Sequence, residues 1–179
     1  MNGTTGRGDV LVGVENPEHV QQLVRTAGDL ARAEDVGIRL VTVVAKSQNS
    51  PFSVFDDATI RREFSGASHE LLDQASPPEG VALERDVVVA RSVEKGLVAA
   101  VEESDPAALV LGWHGPTGRV DSLLGTTLDS LVARAQCDLY VERVGREAGE
   151  VESILLPVAG GPHVESAARM AAAMARAND

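Results

Sequence analysis

Five short aliphatic runs constrain this chain more than any other feature, because a stretch long enough for a helix separates each from the next. The runs are Asp9–Val14 (DVLVGV), Ile38–Val44 (IRLVTVV), Val81–Val89, Ala107–Leu111 (AALVL) and Leu139–Val144 (LYVERV). A strand covered on one face alternates apolar and polar residues, whereas a strand buried on both faces reads as a continuous aliphatic run. Ala107–Leu111 is wholly apolar and Val87–Val89 is a valine triplet, so helices must cover both sides of the sheet. Crossovers between parallel strands are right-handed. The expected architecture is therefore α/β, an open doubly wound five-stranded parallel sheet with helices on both faces. The strand order does not follow from the pattern.

The connecting segments carry their own signals. Asn16 suits a helix N-cap and Pro17 the first helical position. Val20, Leu23, Val24, Ala27, Leu30 and Ala31 then recur at three and four, one buried stripe that ends before Gly37. Lys46–Asp57 has no periodicity and reads as a loop. One helix carrying Ile60, Phe64, Ala67 and Leu71 follows, stopped by Ser76–Gly80. Ser92 caps a helix with Val93, Leu97, Ala100 and Val101, ended by Asp105-Pro106. Gly112–Leu124 is a glycine-punctuated loop before a helix over Thr127–Ala135.

The start of the chain recurs at its end. Sliding the sequence by 144 residues lays Val10–Asp35 on Ile154–Asp179, with ten of 26 positions identical, His19/His163 and Arg25/Arg169 among them. Such a period means a duplicated domain. The expected organisation is one domain over 9–144, a charged linker over 145–153, and the first strand and helix of a truncated second copy over 154–179. A lone strand–helix pair cannot bury both its faces.

Charge and composition exclude several classes. Asp and Glu number 27 against 16 Lys and Arg, a net charge of −11, and only Lys46 and Lys95 are lysine. So acidic a surface repels phosphodiester backbones, which argues against nucleic-acid binding. Arginine over lysine with abundant carboxylates suits a salt-rich cytosol, where counter-ions screen the repulsion. The single cysteine, Cys137, excludes an internal disulfide framework. No apolar stretch reaches the roughly 20 residues of a membrane span, and MNGTTGRGD lacks the shape of a signal peptide. The expectation is a cytoplasmic protein.

The residues that carry chemistry follow the fourth run. Gly112-Trp113-His114-Gly115, nine further residues and Gly125-Thr126-Thr127 join a strand to a helix N-terminus. Glycines allow close approach of a ligand, backbone N–H groups point inward, and the helix dipole favours an anion. Thr126 can either meet a phosphate or cap its own helix, with Asp129 completing a capping box. No metalloprotease HExxH, paired-cysteine spacing, G-x-S-x-G elbow or Walker-type loop occurs. No nucleophile or base is nominated, and the chain is expected not to be an enzyme beyond slow hydrolysis of a bound nucleotide. Trp113 reads as a lid or interface side chain, Cys137 as a small core residue, and His19 as a mark of the duplication.

The run G-x-x-G, nine residues, G-[ST] after the fourth strand resembles the nucleotide-binding motif of the universal stress protein family. The resemblance takes in VLVGVENPEHV, LVTVV and the ending CDLYVERV, and so spans residues 9–144. It implies an adenine-nucleotide site, for ATP or AMP with Mg²⁺ as a companion, in a stress-response regulator. Carried over by position, Gly13, Val14 and Glu15 stand near ribose or phosphate and Val43 touches adenine. Leu111, Gly112, His114 and Gly115 line the ribose and phosphates, and Gly125, Thr126 and Thr127 cradle the polyphosphate. Glu15 stands where the family usually has Asp, and Gly13 where it often has Pro. The resemblance also implies a homodimer through Leu139–Val144, an edge otherwise left unpaired. A second reading makes the chain the cytosolic regulatory domain of an amino-acid or cation transporter. A third, an adenylating or nucleotide-hydrolysing enzyme, wants an S-G-G-x-D-S-like loop where this chain has Gly13-Val14-Glu15-Asn16-Pro17.

Overall fold

The computed structural model describes residues 8–46, 51–115, 126–145 and 151–178. The five runs form β1 (Gly8–Gly13), β2 (Ile38–Ala45), β3 (Leu83–Ala90), β4 (Pro106–Trp113) and β5 (Asp138–Arg143). All pairs are parallel, in the order β3-β2-β1-β4-β5. Val10 lies opposite Ile38 on one side and Ala108 on the other, and Gly13 opposite Val41 and Leu111. Side chains alternate across a strand, and the two faces divide accordingly. Val10 and Val12 join the cluster built on α1 (Pro17–Glu34), while Leu11 joins that built on α4 (Val93–Ser104) and α5 (Thr126–Arg134). Val10, Leu11 and Val12 have no exposed surface, which is why the first run contains no charged residue after Asp9.

The expected caps form. The Asn16 side chain accepts a hydrogen bond from the Glu18 N–H at 2.9 Å and Pro17 opens α1. The Ser92 hydroxyl accepts from the Lys95 N–H at 3.2 Å to open α4. Both helices end in left-handed carboxylate residues, Asp35 at φ 56° and Asp105 at φ 42°, conformations that Asp and Asn tolerate better than most side chains. The single helix expected around Ile60–Leu71 is two, α2 (Asp57–Glu63) and α3 (Gly66–Leu72). Their junction is Ser65, whose hydroxyl donates to the Arg61 carbonyl, a side-chain bond that competes with the helical ladder, and Gly66 follows it. The described part of the expected loop before them contains a 3₁₀ turn, Pro51–Val54.

The strand expected from Ile154 does not form. Residues 151–160 take no regular secondary structure, and Leu155 and Val158 are 93% and 61% exposed. A strand is stable only beside another, and none of the described strands takes this segment as a neighbour. The helix of the repeat does form, as α6 (Val164–Ala177), and it packs on this domain, beside α1 and against β5. Ala173 is buried there. Tyr140 Oη donates to the Ser166 carbonyl at 3.0 Å, Ser166 Oγ to Asp138 at 2.8 Å, and Arg169 pairs with Asp138 at 2.9 Å and Glu34 at 3.5 Å. On the α1 face, α6 thus covers the part of the sheet that lies beyond α1.

The chain runs outward from β1 to β2 and β3, then returns to β4 and β5 on the other side of β1. The carboxyl ends of β1 and β4 are therefore followed by connections that leave in opposite directions. Open α/β sheets hold their ligands in the crevice this creates.

Candidate functional site

A cavity of about 620 Å³ occupies that crevice, within the roughly 300–1,000 Å³ usual for small-molecule sites. Its middle is the turn from β1 into α1, Gly13 to Pro17 with His19 and Leu23. One wall is apolar, built from Val41 and Val43 of β2 and Val93 and Leu97 of α4. The other holds Leu111, Gly112 and His114 from the end of β4, Thr127 and Leu128 from the first turn of α5, and Val144. Backbone bonds fix the rim. Val14 N–H donates to the Val41 carbonyl at 2.9 Å, and Val144 N–H to the Trp113 carbonyl at 3.0 Å.

Two glycines are needed for space and one for conformation. A Cβ on Gly13 would stand 2.6 Å from Leu111 Cδ2, and one on Gly112 would stand 2.9 Å from Val144 Cγ1. Each distance is shorter than carbon atoms tolerate. Gly115 has open space around it but sits at φ 88°, a region that other residues enter at a cost of about 1–2 kcal/mol.

Of the residues read from the sequence, Gly13, Val14, Glu15, Val43, Leu111, Gly112, His114 and Thr127 all line this one cleft. Gly115 follows His114 directly. Thr126 is the first residue of α5, and Gly125 lies outside the described residues. Trp113, read as a lid or interface side chain, packs half-buried among the apolar residues of the α4–α5 face and not over the cleft. Its neighbours Gly112 and His114 line the cleft, and alternation along the strand turns the residue between them the other way. Cys137 is half-buried beside β5, and desolvation pushes its thiol above the usual range.

The sequence reading missed His19. It stands four residues before Leu23 and so shares its side of α1, and its ring meets that of His114 edge to face, centroids 4.5 Å apart at 76°. The signal available was position: a polar residue in the first turns of the helix leaving the central strand. Asn16 also borders the cleft, but its side chain is engaged in capping.

The cleft has an apolar end and a polar end. Its described lining carries one carboxylate (Glu15), two imidazoles (His19 and His114) and two threonine hydroxyls, with no Lys or Arg. The first turn of α5 lies at the polar end, where the helix dipole and the backbone N–H groups of a helix start favour an anion. Among the described residues no three His, Cys, Asp or Glu side chains gather to hold a metal ion. Among them, too, no helix is long and apolar enough to cross a membrane. The arrangement suits a ligand with a flat apolar part and an anionic part.

Comparison with known proteins agrees with the fold. The chain is 27% identical over 154 residues to the Na⁺/H⁺ antiporter NhaS5 of Synechocystis, an alignment covering 83% of this chain. The chain spans about one fifth (21%) of that relative's length. Two solved universal stress proteins share the fold. One, in complex with cAMP, is 20% identical with a TM-score of 0.52 and covers 79% of this chain and all of its own. The other, from Archaeoglobus fulgidus in complex with dAMP, is 16% identical with a TM-score of 0.52 and covers 76% of this chain and 98% of its own. The model of the universal stress protein family matches residues 6–143, the five strands and the cleft at their carboxyl ends, and the chain belongs to that family.

Proposed function

We propose that this chain is an adenine-nucleotide-binding regulator of the stress-response type, a binding module and not a catalyst. The observation that carries the reading is the cleft itself. Eight of the residues expected to contact nucleotide come from four separate elements and the turns after β1 and β4, and line one cavity with an apolar end beside Val43 and an anion-favouring end at α5. In that cavity the base lies against Val43, Val93 and Leu97, the ribose near Glu15, and the phosphates beside Gly112, His114 and Gly115. Gly125, Thr126 and Thr127 complete the phosphate cradle. The cAMP and dAMP held by two proteins of the same fold support adenine nucleotide as the ligand class. AMP and ATP are the candidates, and Mg²⁺ would enter with the phosphates. The chain's own contribution is to bind and orient, since among the described residues lining the cleft no hydroxyl is hydrogen-bonded to a carboxylate or imidazole. Two copies join through β5, the edge strand of the sheet among the described residues. Calorimetric titration with AMP and ATP in molar potassium chloride tests the reading: saturable binding at one site per chain is expected, and absence of heat with a folded protein overturns it.

The antiporter similarity favours one second reading, a regulatory domain carried by a cation transporter on its cytoplasmic side. The full reading frame decides it. Membrane spans encoded in frame with this sequence support a transporter, and a frame without them overturns it.

A further inference from the structure

The pairing of His19 with His114 is a feature that nucleotide recognition by glycines alone leaves unused. One ring comes from α1 and the other follows β4, and both line the cleft. They are the described lining's only side chains able to carry positive charge. Nδ1 of His19 is buried with no hydrogen-bond partner among the described residues, so none of them holds a proton on that nitrogen. Among the described residues the charged groups around the pair are few. Glu15 lines the cleft at the start of α1, and Glu18 in its first turn is exposed. On β5, Glu142 lies opposite Gly112 with Oε1 accepting from Gln22 Nε2 at 2.6 Å and Oε2 buried without a partner, and Arg143 beyond it is exposed.

Two neutral imidazoles tolerate an edge-to-face contact, and one imidazolium against the face of the other is favourable. Two imidazoliums at 4.5 Å repel each other. A phosphate group beside both removes that repulsion and favours their charged forms. We propose that His19 and His114 act as one proton-accepting unit that supplies the cation for a phosphate in this cleft, so that phosphate binding takes up a proton. The inference rests on the nucleotide reading above. No covalent bond changes: a proton passes from buffer to a ring nitrogen as the anion arrives and returns when it leaves. The bound state then holds protons more tightly than the free one. While the phosphate stays a dianion, affinity for a phosphate-bearing ligand therefore falls as pH rises. Adenosine, lacking phosphate, gains nothing from the proton.

Calorimetry with AMP and with adenosine, at pH 7.0 to 8.5 and in two buffers of different ionisation enthalpy, counts the protons directly. AMP is mainly a dianion throughout that window, so its own titration contributes little. Expected are net proton uptake with AMP, a fall in AMP affinity of about five- to tenfold across the window, and a flat profile for adenosine. His19→Gln and His114→Gln should each flatten the AMP profile, and the double variant should take up no proton while melting as a folded protein. AMP binding to wild type with no proton uptake overturns the inference and leaves the nucleotide reading standing, as does uptake that persists in the double variant. Failure of both AMP and adenosine to bind the folded protein overturns the two together.

Discussion

Adding one methyl group at Gly112 and one at Gly66 should move stability in opposite directions. At Gly112 the new Cβ lies 2.9 Å from Val144 Cγ1 and 3.3 Å from Leu23 Cδ1. Val144 and Leu23 are 7% and 2% exposed, so neither can swing into solvent, and the clash is met by moving β5 or α1. Overpacking of this kind costs about 1–3 kcal/mol. Against it stands about 0.5–1 kcal/mol gained by replacing a strand glycine with alanine. The centres of these ranges leave a net loss of about 1 kcal/mol, a drop in Tm of roughly 2–4 °C for a chain of this size. At Gly66 the new Cβ meets nothing within 4 Å, the backbone is helical, and Gly66→Ala should gain about 0.5 kcal/mol. Urea unfolding of both variants, read as midpoint shifts at constant slope, gives the two values on one scale. Gly112→Ala as stable as wild type, or Gly66→Ala losing as much, would refute the claim that close packing at the cleft fixes the glycine.

Three further outcomes follow. Gly96→Ala on α4 places a Cβ 2.6 Å from Val43 Cγ1, so it should push Val43 into the cleft and weaken AMP binding about tenfold, equivalent to about 1.4 kcal/mol; an unchanged Kd in calorimetry removes Val43 from the base wall. With a net charge of −11 and a screening length of about 3 Å in molar salt, thermal melts should rise as potassium chloride is added, and a flat Tm contradicts the salt-adapted reading. Burial raises the Asp29 carboxyl above its usual range despite Arg32 at 2.8 Å. A raised folded-state pKa contributes stability that is present below the unfolded value near 3.9 and lost as pH rises through the folded one. Denaturation of wild type and Asp29→Asn across pH 3–7 should show wild type losing ground over that interval and the two running parallel above it. Parallel curves throughout refute it.

The sheet was legible because strand burial leaves a local trace. A fully covered strand must be aliphatic along its length, and Ala107–Leu111 and Val10–Val12 show this without reference to any other segment. Caps are local too, and Asn16-Pro17 and Ser92 act where their chemistry points. What depends on distant neighbours was not legible. The repeat at Ile154 has strand-like residues, yet a strand forms only beside a partner, and α6 finds its burial against α1 and β5 while Leu155 stays exposed. Ser65 broke a helix that the apolar spacing of Ile60, Phe64, Ala67 and Leu71 made continuous, because its hydroxyl takes the Arg61 carbonyl. Eight residues of the cleft lining were named through the family resemblance, which the glycine spacing after the fourth run carries. His19 has no such spacing, and only the packing of α1 against the end of β4 brings it to His114.

Where the nucleotide sits is the most direct test of the account. A crystal structure grown with saturating AMP should show the base against Val43 and the phosphate beside His114, Gly115 and the N-terminus of α5, with His19 within reach of the same phosphate. An empty cleft in crystals of protein that binds AMP in solution, or a nucleotide bound elsewhere on the chain, would contradict it.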